Sequence, residues 1–164
     1  MTVVNRGGRR RLLGDATSYA CAMSLPAKLQ RIVDLFAAAP REIKLQALLD
    51  YSNRIPPLPP EFADHPERLE KVPECQSPFF LATEVTPEGE VILHFESPRE
   101  APTTRGYAGI LSEGLAGATA DEVLALPGDF YMDMGLEEVV SPLRLRGMDA
   151  ILARMKRQIA AQQA

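Results

Sequence analysis

The apolar residues of this chain change their period twice, and that change constrains the fold more than any other feature. Leu25, Leu29, Ile32, Val33 and Phe36 recur at steps of three and four, which predicts an amphipathic helix. Pro40 is placed to open a second helix, with Leu45, Leu48 and Leu49 as its expected apolar stripe. The period then falls to two. The runs "FFLATEV" and "EVILHFES" are rich in aromatic and β-branched residues and flank the turn sequence "TPEG", so an antiparallel hairpin is expected. Phe79, Leu81, Thr83 and Val85 would share one face with Val91, Leu93 and Phe95, leaving His94 on the other. So small a sheet cannot stand alone, and helices must cover it. The fold class expected is therefore α+β, with an antiparallel sheet of two or three strands packed against helices.

Helical spacing returns after Pro102. Tyr107, Ile110 and Leu111 form one stripe, and Gly106 and Gly109 allow a close neighbour. Thr119 and Glu122 have the spacing of a capping box, and Gly135 suits a cap at the end of a later turn. In the last helix Met148, Ile151, Leu152, Met155 and Ile159 face inward, and Arg154, Lys156 and Arg157 are expected to point mostly outward. "RIPPLPPEF" should form no regular structure and cross the surface as a stiff linker. The 164 residues suit a single domain over 24–164. Residues 1–23, which include Cys21, carry no periodic apolar face and are expected to be a disordered extension.

Composition excludes several functions. A net charge of −4, the lack of tryptophan and an aromatic content of 6% argue against nucleic-acid binding. No apolar run reaches the roughly 18 residues of a membrane span. The two cysteines and two histidines lack the ligand spacing of a zinc site, and no phosphate loop or dinucleotide fingerprint is present. No metal or cofactor of the chain's own is expected, and the cysteine usage suits a reducing cytoplasm.

The chemically interesting stretch is "VPECQSPFF". Pro73 and Pro78 flank Cys75 and exclude a helix interior or a central strand, so the thiol belongs to a stiff polar loop. Glu74 beside it disfavours the thiolate. Three roles are open: a cysteine enzyme using His65 or His94 as base, an interaction module with an incidental thiol, and a sulfur acceptor. The last needs only a reachable thiol, because attack on a persulfide is a displacement at sulfur like thiol–disulfide exchange. It requires no base and leaves open whether the chain is an enzyme in its own right.

Three segments in order resemble the SufE-like family. "DYSNRIPPLPPEF" is similar to the end of the family's second helix and its Pro-Leu-Pro stretch. "VPECQSPFFL" resembles its V-x-G-C-Q-S loop, and "SPLRLRGMDAIL" its S-P-x-R-x-x-G segment opening the last helix. The resemblance implies a sulfur carrier that takes persulfide sulfur from a pyridoxal-phosphate cysteine desulfurase onto Cys75. It also implies that the carrier stimulates the desulfurase and passes sulfur to an iron–sulfur scaffold. Gln76 and Ser77 then match the rest of the loop, and Arg144 matches the arginine implicated in docking on the desulfurase. The pyridoxal phosphate belongs to that partner. Glu74 departs from the family's glycine, and "PFF" from a pair that often ends in tryptophan.

Overall fold

The computed structural model describes residues 24–164, so the N-terminal extension and Cys21 lie outside the described residues. Six α-helices and three strands follow one another in the described chain: α1 Ala27–Ala38, α2 Arg41–Ser52, α3 Pro60–Ala63, β1 Glu70–Lys71, β2 Phe80–Val85, β3 Val91–Glu96, α4 Pro102–Gly114, α5 Ala120–Leu124 and α6 Pro142–Gln163. Three-residue to five-residue 3-10 turns occupy Pro66–Arg68, Phe130–Met134 and Leu136–Glu138. The sheet is antiparallel in the order β1-β2-β3. Its long pairing sets Leu81 against Phe95, Thr83 against Leu93 and Val85 against Val91, as the period-two pattern requires. The α+β expectation holds, with three strands.

Helix α4 is the hub. Tyr107, Ala108, Ile110 and Leu111 are fully buried, and α1, α2 and α6 all pack on it. Gly106 and Gly109 explain the closeness of α2. A Cβ at Gly106 would fall 2.4 Å from the Leu48 carbonyl oxygen, and one at Gly109 would fall 2.1 Å from that of Tyr51. This contact also overturns the expected face of α2. With its backbone pressed on α4, α2 buries Lys44, Leu48, Tyr51 and Ser52, while Leu45 and Leu49 are exposed. The buried Lys44 ammonium is paired, donating to Glu138 Oε2 at 3.1 Å.

Elsewhere the local signals hold. Leu29, Ile32, Val33 and Phe36 are buried on α1, and Met148, Ile151, Leu152, Met155 and Ile159 on α6. Each such side chain contributes about 1.5–3 kcal/mol by leaving water. Thr119 and Glu122 make the full capping box of α5, and Gly135 ends the Phe130–Met134 turn at φ 67°. The proline-rich linker does more than cross the surface. Its end winds into α3, and Phe62 with Leu69 and Ala82 forms a small second core on the outer face of the sheet.

The alignment of α6 on the sheet fixes the geometry of the site. Strand β1 covers only Phe80 and Leu81 of β2, so the amides of Thr83 and Val85 have no strand partner on that edge. Gln158 and Gln162 of α6 supply the missing acceptors. Thr83 N donates to Gln158 Oε1 at 2.9 Å, and Val85 N donates to Gln162 Oε1 at 3.0 Å. Paired edge amides hold α6 in one rotation and one axial position.

Candidate functional site: the Cys75 loop on helix α6

The loop carrying Cys75 is anchored at both ends and irregular between them. Val72 and Phe79 are buried in the core, and Val72 N donates to Phe79 O at 2.9 Å, closing the loop's base. Cys75 N donates to Val72 O at 3.2 Å, forming a turn with Pro73 in the position after its first residue, where proline's fixed φ fits. The sequence accounts for this loop well: two large apolar residues as anchors, two prolines as stiffeners.

The thiol does not project outward. Cys75 is half-buried and rests against α6. Its Sγ lies 3.9 Å from the Gly147 carbonyl oxygen, at the outer limit for a sulfur donor. The missing side chain of Gly147 makes the seat, since a Cβ there would lie 3.1 Å from Sγ and 3.5 Å from the Cys75 Cα. Burial pushes the thiol's pKa up to about 11. The Glu74 carboxylate adds to that shift, and the Arg154 guanidinium opposes it. The direction agrees with the sequence argument from Glu74, but burial comes first.

Glu74 is itself held. Arg154 Nη2 donates to both of its carboxylate oxygens at 2.8 Å. Glu74's own amide and then Arg154 hold that carboxyl below the usual carboxylate range. Arg154 also lies 3.5 Å from Glu70 Oε1. Glu70 in turn receives hydrogen bonds from Arg157 and Gln158, the latter at 2.8 Å. The expectation that Arg154 points outward therefore fails: its side chain is only 16% exposed and bridges the loop to the sheet. No local pattern could show this, because Arg154 and Glu74 stand 80 positions apart. The clue available in the sequence is weaker: Glu70 and Glu74 before the thiol, and Arg154 and Arg157 among the four arginines of the last helix.

The other candidate residues divide. Gln76 is exposed and Ser77 half-buried, and neither side chain hydrogen-bonds another described residue. Arg144, in the first turn of α6, is half-buried and donates to Thr103 Oγ1 at 3.1 Å. Neither histidine joins the thiol. His65 is exposed and paired with Glu67 at 3.0 Å. His94 pairs with Glu84 at 2.8 Å and lies against Phe62, on the sheet face opposite α6. Among the described residues no group of three metal-binding side chains occurs, and no helix is long and apolar enough to cross a membrane.

Residues 30–159 match SufE, the Fe–S metabolism associated domain. The chain belongs to the SufE family. An uncharacterized SufE-like protein of Mycobacterium tuberculosis is 49% identical over 136 residues, spanning 83% of this chain and 94% of that one. The SufE-like protein 1 of Arabidopsis thaliana, chloroplastic/mitochondrial, is 31% identical over 82% of this chain but only 35% of its own length. The solution structure of a hypothetical protein from Thermus thermophilus is similar at a TM-score of 0.75 and 43% identity, covering 84% of this chain and 97% of that one. Membership ties this SufE chain to Fe–S metabolism and to the SufE-like fold.

Proposed function

We propose that this SufE-family chain is a sulfur acceptor whose acceptor thiol is Cys75. The observation that carries the proposal is the setting of that thiol: one cysteine on a doubly anchored loop, with neither histidine beside it. Displacement at sulfur suits such a setting. The Cys75 thiolate attacks the outer sulfur of a persulfide on a cysteine desulfurase, the donor's S–S bond breaks, and the donor cysteine leaves as a thiolate. A new S–S bond forms on Cys75. The proton given up by Cys75 balances the one the donor thiolate takes up, so no external oxidant or reductant is needed.

The pyridoxal phosphate that releases sulfur from cysteine belongs to the desulfurase. This chain draws off the sulfur, stimulates turnover and delivers sulfur for iron–sulfur cluster assembly on a scaffold protein. Gln76 and Ser77, with side chains uncommitted to the described fold, contact the partner, and Arg144 docks on it one turn from Gly147. A desulfurase supplied with cysteine tests the role. Wild-type protein should raise sulfur release, and Cys75→Ser protein should not. Equal stimulation by both would remove Cys75 from the reaction.

A further inference from the structure

We propose that Glu74 and Arg154 are positioning residues for Cys75: their ion pair is a latch that holds the thiol loop on α6, and the thiol reacts when the latch opens. This deepens the reading of Cys75 as the sulfur acceptor and rests on it.

The two halves of the pair have different attachments. Arg154 is fixed. It springs from the middle of α6, its side chain is largely buried, and its guanidinium also faces Glu70, which Arg157 and Gln158 hold on β1. Its Nε is buried with no hydrogen-bond partner, so the guanidinium is held there by its carboxylates rather than by an ideal set of bonds. Glu74 is on the moving side. Arg154 is the partner of its carboxylate beyond its own backbone amide, and its side chain is 46% exposed. Between the anchors Val72 and Phe79, the other polar side chains of the loop, Gln76 and Ser77, make no bond to another described residue. The polar tether from this loop to α6 is therefore the Glu74–Arg154 pair and the long sulfur contact at Gly147.

With its Glu74 end 46% exposed, the pair is screened by solvent and makes a weak latch. Such pairs contribute on the order of 1 kcal/mol or less, about a fivefold change in the closed-to-open ratio at most. That suits a loop that must release its thiol to a partner and yet rest closed. Direct charge and latching make opposite predictions for one of the two partners. If the pair acted only through its charges on the thiolate, removing Glu74's charge would speed reaction and removing Arg154's would slow it. If it acts as a latch, removing either one speeds reaction.

The test is the rate at which a neutral reagent, iodoacetamide, alkylates Cys75 in the folded protein near neutral pH. Glu74→Gln and Arg154→Gln should each react about threefold to fivefold faster than wild type, and the double variant no faster than the singles. Added sodium chloride should speed wild type and leave Glu74→Gln unchanged, because salt screens a pair that the variant lacks. Glu74→Asp keeps the charge but is one methylene too short for the 2.8 Å bonds to Arg154, so it should also react faster, whereas charge alone would leave its rate at the wild-type value. This keeps the test decisive even if Arg154→Gln unfolds, and a wild-type rate in Glu74→Asp overturns the latch. Slower reaction of a folded Arg154→Gln protein, or wild-type rates in Glu74→Gln at every salt concentration, overturns the latch. No desulfurase is present, so the latch can fail while sulfur acceptance stands, and sulfur acceptance can fail while the latch stands.

Discussion

Replacing Gly147 by alanine should separate the position of the thiol from the stability of the fold. The new Cβ would lie 3.1 Å from Cys75 Sγ, 3.5 Å from its Cα and 3.7 Å from the Glu74 carbonyl oxygen. Only the first contact is tight, and it is relieved if the loop lifts from α6 by a few tenths of an ångström. Alanine is the better helix former by about 0.5–1 kcal/mol, which offsets the crowding. The unfolding free energy in urea should therefore shift by less than about 1 kcal/mol, and upward as readily as downward. The thiol should respond differently. Burial is the leading reason its pKa stands at about 11 rather than 9.0. A thiol released completely would be about a hundredfold more ionised near neutral pH, and a small lift should give about a threefold to tenfold gain in alkylation rate. Alkylation followed across a range of pH, beside urea unfolding of the same protein, checks both halves. A folded Gly147→Ala protein with the wild-type rate and pH profile would show that the α6 surface is not what suppresses the thiol.

Two further outcomes test the frame and the docking face. Gly109→Ala places a Cβ 2.1 Å from the Tyr51 carbonyl oxygen, between two backbones that cannot both yield, and should cost about 3 kcal/mol in urea unfolding; a loss well under 1 kcal/mol would show that α2 and α4 separate easily. Arg144→Glu should weaken binding to the desulfurase in calorimetry by at least about tenfold and leave the fold intact, since its bond to Thr103 is a single half-buried one; unchanged affinity would take Arg144 out of the interface.

Legibility in the sequence followed the range of the interaction. Helices α1 and α6, the hairpin register and the capping box rest on neighbours within a few positions, and these were readable from spacing. The face of α2 was not, because Leu45, Leu48 and Leu49 offered a plausible stripe while the true burial depends on Gly106 and Gly109 more than fifty positions away. A buried lysine at position 44 also hides its partner, Glu138, 94 positions on. At the site, the local part was legible: prolines, a polar loop and an acid beside the thiol. The thiol's inward seat at Gly147 and the Arg154 bridge were not, since both come from α6 packing on a loop that precedes it by some seventy to eighty positions. The three SufE-like motifs cover the end of the second helix with its proline stretch, the thiol loop and the first turns of α6, and none of them includes Arg154.

The central claim is that Cys75 carries the sulfur. Its most direct test is mass spectrometry of the peptide containing Cys75 after the protein is incubated with a cysteine desulfurase and cysteine. The account predicts one added sulfur atom on that peptide in wild-type and Cys21→Ser protein, removable by a reducing thiol, and no sulfur gained anywhere by the Cys75→Ser protein. Sulfur accepted by Cys75→Ser protein, or found on Cys21 with Cys75 unmodified, would contradict it.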